Sequence, residues 1–139
     1  MSSLSPLHIL LVEDDQDDVE LLQDALQDNG VKFTMEIVRQ GDKVIPFLNA
    51  CKDLPHVILL DLNLPKMHGR EVLSRIKLSE DFKHIPVTIL TTSSSQAEKE
   101  FCLSAGATNF LTKPSTVEGF NKTVRSIMDV ALQGQTLKN

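Results

Sequence analysis

The chain has 139 residues, which is enough for one domain of ordinary size and too few for two domains with complete cores. Its net charge of −5 argues against direct binding of nucleic acid, because phosphates require a basic protein surface. No apolar run approaches the ~20 residues of a membrane-spanning helix, and residues 1–6 do not resemble a signal peptide. Cys51 and Cys102 fit no disulfide framework, so we expect a cytoplasmic protein without membrane insertion.

The first half of the chain alternates between strand and helix patterns. Residues 7–12 form an almost continuous apolar run, which is typical of a buried strand, and residues 15–29 follow with helical spacing of apolar side chains. Residues 33–37 alternate between apolar and polar, which predicts a strand exposed on one face at a sheet edge. Residues 42–51 predict a short helix, whose first turn we expect to be irregular because it contains Pro46.

The second half continues the same alternation. In chain order, it predicts a strand at 57–60, a helix at 69–79, a strand at 87–90, a helix at 96–105, a strand at 109–111 and a helix at 116–132. The runs at 57–60 and 87–90 have the length of buried strands, and the helical segments 69–79 and 116–132 each carry apolar residues on one side.

Five repeats of strand and helix predict an α/β fold, because parallel strands need crossover helices that cover both sheet faces. We predict a flavodoxin-like, doubly wound sheet of five parallel strands in the order 2-1-3-4-5, with five helices. The half-exposed second strand suits the edge position that this order gives it. The predicted domain spans 7–132, with short terminal tails at 1–6 and 133–139.

Polar residues gather where the inner strands end. Glu13 and Asp14 follow the first strand, Asp61 follows the third, Thr91 follows the fourth and Lys113 follows the fifth. Because the carboxyl ends of parallel strands share one sheet edge, we expect these side chains to converge. Three converging carboxylates repel one another, and a hard divalent cation such as Mg²⁺ relieves that repulsion. Together with a lysine and a hydroxyl, they provide what phosphoryl transfer to a carboxylate requires.

Each of these features also has a purely structural interpretation. The acidic run 13–18 is compatible with a helix start favoured by the helix dipole, and Asp15 is the expected cap. The residues 91–95 are typical of a solvated loop, and most lysines are solvated. The functional interpretation is favoured because the polar groups fall at the same end of four strands.

Four segments resemble the signatures of response-regulator receiver domains. They are ILLVEDD (9–15), VILLDLNLP (57–65), ILTTS (89–93) and FLTKP (110–114). Thr91 and Lys113 also follow Asp61 at the family's spacing, and the resemblance covers about 7–132. The segment DLNLPKMHGREVL (61–73) is similar to stand-alone receivers that partner bacterial phytochromes.

The resemblance implies a phosphoacceptor and a metal site. Asp61 would accept the phosphoryl group. Asp14 would bind Mg²⁺ directly, Glu13 would bind it mainly through water, and the backbone carbonyl of Asn63 would complete the protein ligands. The chain departs from the family pattern at His68, where an acidic or amide residue is commoner, and this departure concerns the start of the third helix.

The resemblance also implies a switch. Thr91 would turn its hydroxyl to the phosphoryl group, Thr92 would offer its backbone N–H, and Lys113 would pair with a phosphoryl oxygen. Phe110 would move inward when Thr91 does. We therefore expect a switch protein, not an enzyme, with autodephosphorylation at most.

Other functions remain as alternatives. A haloacid-dehalogenase-like phosphotransferase also uses a nucleophilic Asp at a strand end, but it needs a second Asp where this chain has Asn63. A flavin carrier would need a phosphate-binding loop after the first strand, where Glu13, Asp14 and Asp15 would repel a phosphate. The third alternative is a non-phosphorylated pseudo-receiver that acts only as an interaction module.

The expected function is that of a single-domain response regulator. A sensor histidine kinase would phosphorylate Asp61, and the narrower resemblance implies a kinase of the bacterial phytochrome type. Since no further domain is predicted after 132, we expect the signal to leave through a surface. The candidate is a homodimer face made by the fourth helix, the fifth strand and the fifth helix, next to Thr91 and Phe110.

Overall fold

The computed structural model describes residues 6–137, with side chains described as far as Ala131. In this range five parallel strands form one sheet in the order β2-β1-β3-β4-β5, as predicted. The strands are β1 (Leu7–Val12), β2 (Phe33–Val38), β3 (Val57–Leu60), β4 (Val87–Thr91) and β5 (Asn109–Thr112). The α-helices are α1 (Gln16–Asp28), α2 (Val44–Ala50), α3 (Gly69–Leu78), α4 (Gln96–Ser104) and α5 (Val117–Leu137).

The two faces of the sheet carry separate apolar cores. Successive residues of a strand point to opposite faces, so Leu10 and Val12 of β1 enter one core while Ile9 and Leu11 enter the other. The first core packs against α2, α3 and α4, and the second packs against α1 and α5. Both faces of the inner strands are therefore buried, which explains their continuous apolar sequence.

The edge strands are less buried than the inner ones. Along β2, the side chains of Phe33, Met35 and Ile37 are half-buried and those between them are exposed. β5 is also only partly covered. The predicted edge position of the second strand is thus confirmed.

Two helix starts have local explanations. A short 3₁₀ turn at Gly41–Lys43 precedes α2, and Pro46 occupies the third position of that helix, where an N–H has no partner within the helix. His68 caps α3, because its Nδ1 accepts a hydrogen bond from the Arg70 N–H at 3.1 Å. The imidazole therefore provides the cap that an acidic or amide side chain usually provides.

The last helix is longer than predicted. The α5 backbone continues to Leu137, through most of the stretch predicted as a terminal tail, although it contains the unfavourable helix residue Gly134. The predicted tail at 1–6 lies, apart from Pro6, outside the described residues. Among residues 6–137, no helix combines the length and the apolarity that crossing a lipid bilayer would need.

Candidate functional site: the carboxyl edge of the sheet

Strand register brings two distant acidic residues together. In the parallel pair β1 and β3, Val12 lies opposite Leu60, so the residues that follow them are neighbours at the end of the sheet. The Asp61 N–H donates to the Val12 carbonyl at 3.1 Å, and the Glu13 N–H donates to the Val38 carbonyl at 3.0 Å. The backbone pairing therefore sets the positions of both acidic residues independently of their side-chain contacts.

These residues and Asp14 form a group of carboxylates. One oxygen from each of Glu13, Asp14 and Asp61 can be chosen so that all lie within 4.8 Å of one another. Glu13 is 3% exposed and Asp61 is 5% exposed, whereas Asp14 is exposed. Oxygen ligands with one side open to water suit a hard cation that keeps part of its hydration shell. The three side chains thus lie together, as the shared strand ends predict.

The ammonium group of Lys113 enters this acidic group from the end of β5. The Lys113 N–H donates to the Thr91 carbonyl at 2.7 Å, which continues the pairing of β4 and β5 beyond the strands. Lys113 Nζ lies 2.6 Å from Glu13 Oε1 and 3.2 Å from Asp61 Oδ2. Its side chain is only 9% exposed, so the contacts are little screened by solvent.

Burial and charge shift the pKa of both partners. Burial raises the pKa of Glu13 to about 7, with a contribution from the nearby Asp61, although hydrogen bonding to Lys113 opposes this shift. Burial lowers the pKa of Lys113, but its hydrogen bonds to Asp18 and Glu13 and the charge of Asp61 outweigh burial and leave that pKa raised. The lysine therefore stays charged near neutral pH, while Glu13 titrates there.

The hydroxyl and amide residues of the predicted site lie at or just after the ends of β3 and β4. Thr91 is fully buried at the end of β4, and its hydroxyl oxygen accepts a hydrogen bond from the Ser93 N–H at 3.3 Å. Thr92 follows it and is exposed. The Asn63 N–H donates to Asp61 Oδ1 at 3.3 Å, and the Asn63 side chain is exposed.

Phe110, the predicted switch residue, is the second residue of β5. It is half-buried and packs against the core on the α2, α3 and α4 face. Its partner in the pairing of β4 and β5 is Ile89, which precedes Thr91 by two residues.

The loop after Asp61 is held in place by a close backbone approach. The Gly69 N–H donates to the Leu62 carbonyl at 2.8 Å. A Cβ atom at Gly69 would lie 2.6 Å from the Leu62 Cα and still closer to the Asp61 carbonyl oxygen. Only glycine fits there, and this contact fixes the start of α3 against the loop that carries Asp61.

Asp18 is a member of the site that sequence reasoning missed. Its Oδ2 atom accepts a hydrogen bond from Lys113 Nζ at 2.7 Å, a shorter contact than that between Lys113 and Asp61. The sequence shows Asp18 only as part of an acidic helix start. The feature of the sequence that could have pointed to Asp18 is its position just before Val19, the first buried residue of α1.

The family model for the response regulator receiver domain matches residues 9–125, which include all the site residues described above. The chain belongs to the response regulator receiver domain family. It is therefore a receiver-domain response regulator of two-component signalling. Receiver domains of this kind are generally switch proteins and not enzymes.

Three relatives illustrate the similarity. The chain is 38% identical over 128 residues to the probable methanogenesis regulatory protein FilR2 of Methanothrix harundinacea, covering 89% of this chain and 83% of that protein. It is 37% identical over 137 residues to response regulator Rcp1 of Synechocystis sp., covering 95% and 93%. The crystal structure of the phosphorylated cyanobacterial phytochrome response regulator RcpA superposes with a TM-score of 0.83 at 34% identity, covering 92% and 95%.

The site can be compared with a metal-bound relative. The crystal structure of the Mn²⁺-bound form of Rcp1 matches with a TM-score of 0.79 at 38% identity, covering 88% of this chain and 91% of that one. Receiver domains bind Mg²⁺ or Mn²⁺ at an acidic pocket, and the carboxylate group at the carboxyl edge of this sheet is consistent with such a pocket.

Proposed function

We propose that this protein accepts a phosphoryl group from a sensor histidine kinase on Asp61. The observation that carries the proposal is the buried Asp61 carboxylate at the end of β3, with an ammonium group 3.2 Å away and two further carboxylates beside it. A carboxylate held next to cations is a suitable nucleophile for phosphorus, because the cations offset the negative charge of both reactants.

The donor set fits Mg²⁺. Asp14 and Asp61 would bind the cation directly, Glu13 would bind it mainly through water, and the Asn63 carbonyl would complete the protein ligands. Burial, with a contribution from the charge of Asp61, raises the pKa of Glu13 even with Lys113 beside it, so a bound cation would favour the charged form of this carboxylate. When bound, Mg²⁺ would neutralise charge on the transferring phosphoryl oxygens.

The residues of this chain would act on the phosphoryl group directly. A carboxylate oxygen of Asp61 attacks phosphorus, the bond from phosphorus to the kinase histidine nitrogen breaks, and that nitrogen keeps the electron pair. The product is an acyl phosphate on Asp61. Lys113 would pair with one phosphoryl oxygen, and the Thr92 N–H would donate to another.

The phosphoryl group would also move a switch. Thr91 would exchange its hydrogen bond with the Ser93 N–H for one to the phosphoryl group, and Phe110 would move further into the core that it already contacts. Because Phe110 has no hydroxyl, this movement leaves no buried polar group without a hydrogen-bond partner. Attack of water on phosphorus would break the bond to Asp61, release inorganic phosphate and return the carboxylate to its resting state.

The kinase that we propose is of the bacterial phytochrome type, and the location is the cytoplasm. The 34% identity to the phytochrome response regulator RcpA and the 37% identity to Rcp1 support this type of partner. The acidic net charge of −5 supports a protein partner and argues against direct contact with nucleic acid.

Labelling with a small phosphodonor tests the site. The protein is incubated with Mg²⁺ and acetyl phosphate, and the modified residue is mapped by mass spectrometry. We expect one aspartyl phosphate, on Asp61, and none in Asp61→Asn. Asp53→Asn, which removes an exposed aspartate elsewhere, is the matched control and should be labelled normally. Continued aspartyl labelling of Asp61→Asn would refute the assignment of Asp61, and absence of labelling in the wild type would favour the non-phosphorylated interaction module.

We also propose that phosphorylation strengthens a homodimer through the surface made by α4, β5 and α5. β5 is a partly covered edge strand, and Leu103 of α4 and Val117 of α5 are exposed apolar side chains. Phe110 of β5 pairs with Ile89 of the neighbouring strand β4, which ends at Thr91, so the switch can alter this surface.

Sedimentation of the resting and the beryllofluoride-treated protein at several concentrations tests the dimer. We expect tighter association after treatment, and Leu103→Glu should weaken it. Leu78→Glu, at an exposed apolar position on α3, is the control and should leave association unchanged. A monomer in both states at high concentration would contradict the proposal.

A further inference from the structure

The contact between Asp18 and Lys113 is not explained by a metal site. Asp18 lies outside the set of oxygens that could hold a cation, which comprises Glu13, Asp14 and Asp61. Its carboxylate is nevertheless 2.7 Å from Lys113 Nζ, although 95 residues separate the two in the sequence. The Asp18 side chain is 28% exposed, so it reaches the buried ammonium from the solvent side of the cluster.

The position of Asp18 is fixed by its helix. The Asp18 N–H donates to Asp15 Oδ1 at 3.3 Å as part of the cap of α1. The next residue, Val19, is fully buried in the core that α1 shares with α5. The carboxylate is therefore presented by a capped and packed first turn, and not by a mobile loop.

The donors of Lys113 are all used in the resting protein. An ammonium group has three N–H donors, and here it meets three carboxylates, on Glu13, Asp18 and Asp61. A phosphoryl oxygen can gain Lys113 only if one of these contacts is given up. Cation binding would engage Glu13 and Asp61 and loosen their contacts with Lys113, which leaves Asp18 as the carboxylate that still holds the ammonium in its resting position.

We propose that Asp18 is a positioning residue that retains Lys113 in the resting state and competes with the phosphoryl group for it. This inference rests on the proposed phosphorylation of Asp61. Asp18 does not touch the reacting atoms and acts through the position of the ammonium. Removing its charge frees Lys113 for the phosphoryl oxygen and also removes a negative charge near the phosphorylated site.

The first test measures the rate of labelling by acetyl phosphate at saturating Mg²⁺. We expect Asp18→Asn to be labelled about threefold faster than the wild type, as for the loss of one partly exposed ion pair. Asp18→Glu restores the carboxylate and should return the rate toward the wild-type value. Asp17→Asn removes an exposed acidic group from the same helical turn and should leave the rate unchanged.

A rate that is unchanged or lower in Asp18→Asn, or that is raised equally in Asp17→Asn, would overturn the proposal. Absence of labelling in the wild type would instead refute the phosphorylation of Asp61, and this inference with it. The labelling pattern therefore distinguishes the two failures.

The second test does not depend on labelling. Urea unfolding is measured in the presence of a chelator for the wild type, Asp18→Asn, Lys113→Met and the double variant. We expect Asp18→Asn to lower the unfolding midpoint when Lys113 is present and not to lower it in the Lys113→Met background. Equal effects in both backgrounds would show that Asp18 does not act through Lys113, and would overturn the proposal.

Discussion

Two regions of the sheet each pair a basic nitrogen with a glutamate carboxylate, in different surroundings. At the carboxyl edge, Glu13, Asp61 and Lys113 have side chains that are at most 9% exposed. The second region, which we call the amino edge, lies near the start of β1 and along the edge strand β2; there His8 Nε2 lies 2.7 Å from Glu36 Oε1, and the glutamate side chain is 49% exposed. The amino edge also borders a groove of about 940 Å³ that is lined by both residues and by His56.

The two edges differ in how exposed their side chains are to solvent, and not in the distance between the paired nitrogen and oxygen atoms. Both edges contain a contact of 2.6 to 2.7 Å between a basic nitrogen and a glutamate oxygen. Water can reach the partly exposed contact of the amino edge, so this contact contributes little to stability. At the carboxyl edge, burial makes the excess of carboxylates costly, and the same excess makes the edge ready to accept a cation.

Loss of Lys113 should have the largest effect on stability. Lys113→Met leaves three carboxylates without their cation, and we expect it to lower the free energy of unfolding of the metal-free protein by about 3 kcal/mol at pH 8. The loss should be smaller at pH 5, because Glu13 can then take up a proton.

Lys77→Met is the matched control for that experiment. Lys77 is another half-buried lysine, but its ammonium donates to the carbonyls of Lys83 and Ile85 and not to carboxylates. Its loss should cost the same at both pH values. Urea unfolding measures both variants, and a pH-independent loss for Lys113→Met would contradict the contrast between the edges.

The next largest effect is expected in the Mg²⁺ affinity of the carboxyl edge. Asp14→Ala removes an exposed carboxylate of the acidic cluster, so we expect little change in stability and at least a tenfold loss of Mg²⁺ affinity. Glu13→Ala should weaken Mg²⁺ binding less, because water would intervene at that position. Calorimetric titration measures both affinities, and equal Mg²⁺ binding by wild type and Asp14→Ala would exclude the proposed site.

The pH dependence of stability follows from Glu13. Its pKa is about 7 in the folded chain against an ordinary value of 4.5, so the folded state holds this proton more tightly than the unfolded state. Unfolding within this window releases a proton, and the metal-free protein should therefore become less stable as the pH rises from 5 to 7.5. Urea unfolding across this range should show the slope in the wild type and a flatter profile in Glu13→Gln. Glu118→Gln, on the exposed first turn of α5, should keep the wild-type slope.

The smallest effect is expected at the amino edge. Glu36→Gln removes the partner of His8, and because the pair is partly exposed we expect a loss below about 1 kcal/mol at pH 8. The unfolding midpoint in urea provides the measurement. A loss as large as that of Lys113→Met would show that solvent exposure does not separate the two edges.

The sequence could predict the parts of the site that strand topology controls. Asp61 follows an apolar run that has no exposed face, and Glu13 follows another, so a parallel sheet brings them to one edge whatever the loops do. It could also predict Asp15 as a cap, and the Asp15 side chain does accept the N–H groups of Asp17 and Asp18.

Other features needed the tertiary structure. The predicted end of the last helix at 132 was wrong, because the α5 backbone continues through Gly134 to Leu137. The capping of α3 by His68 depends on a ring orientation that sequence composition does not specify.

The sequence by itself determined the alternating order of elements, the sheet order and the residues at each strand end, since these follow from apolar periodicity and the geometry of parallel strands. Only the tertiary structure decided that Asp18 reaches Lys113, because the packing of α1 beside α5 and the side-chain conformations set that contact. Burial likewise separated the two edges of the sheet. How far water reaches an ion pair depends on every element that surrounds it, and no local pattern in the sequence records that.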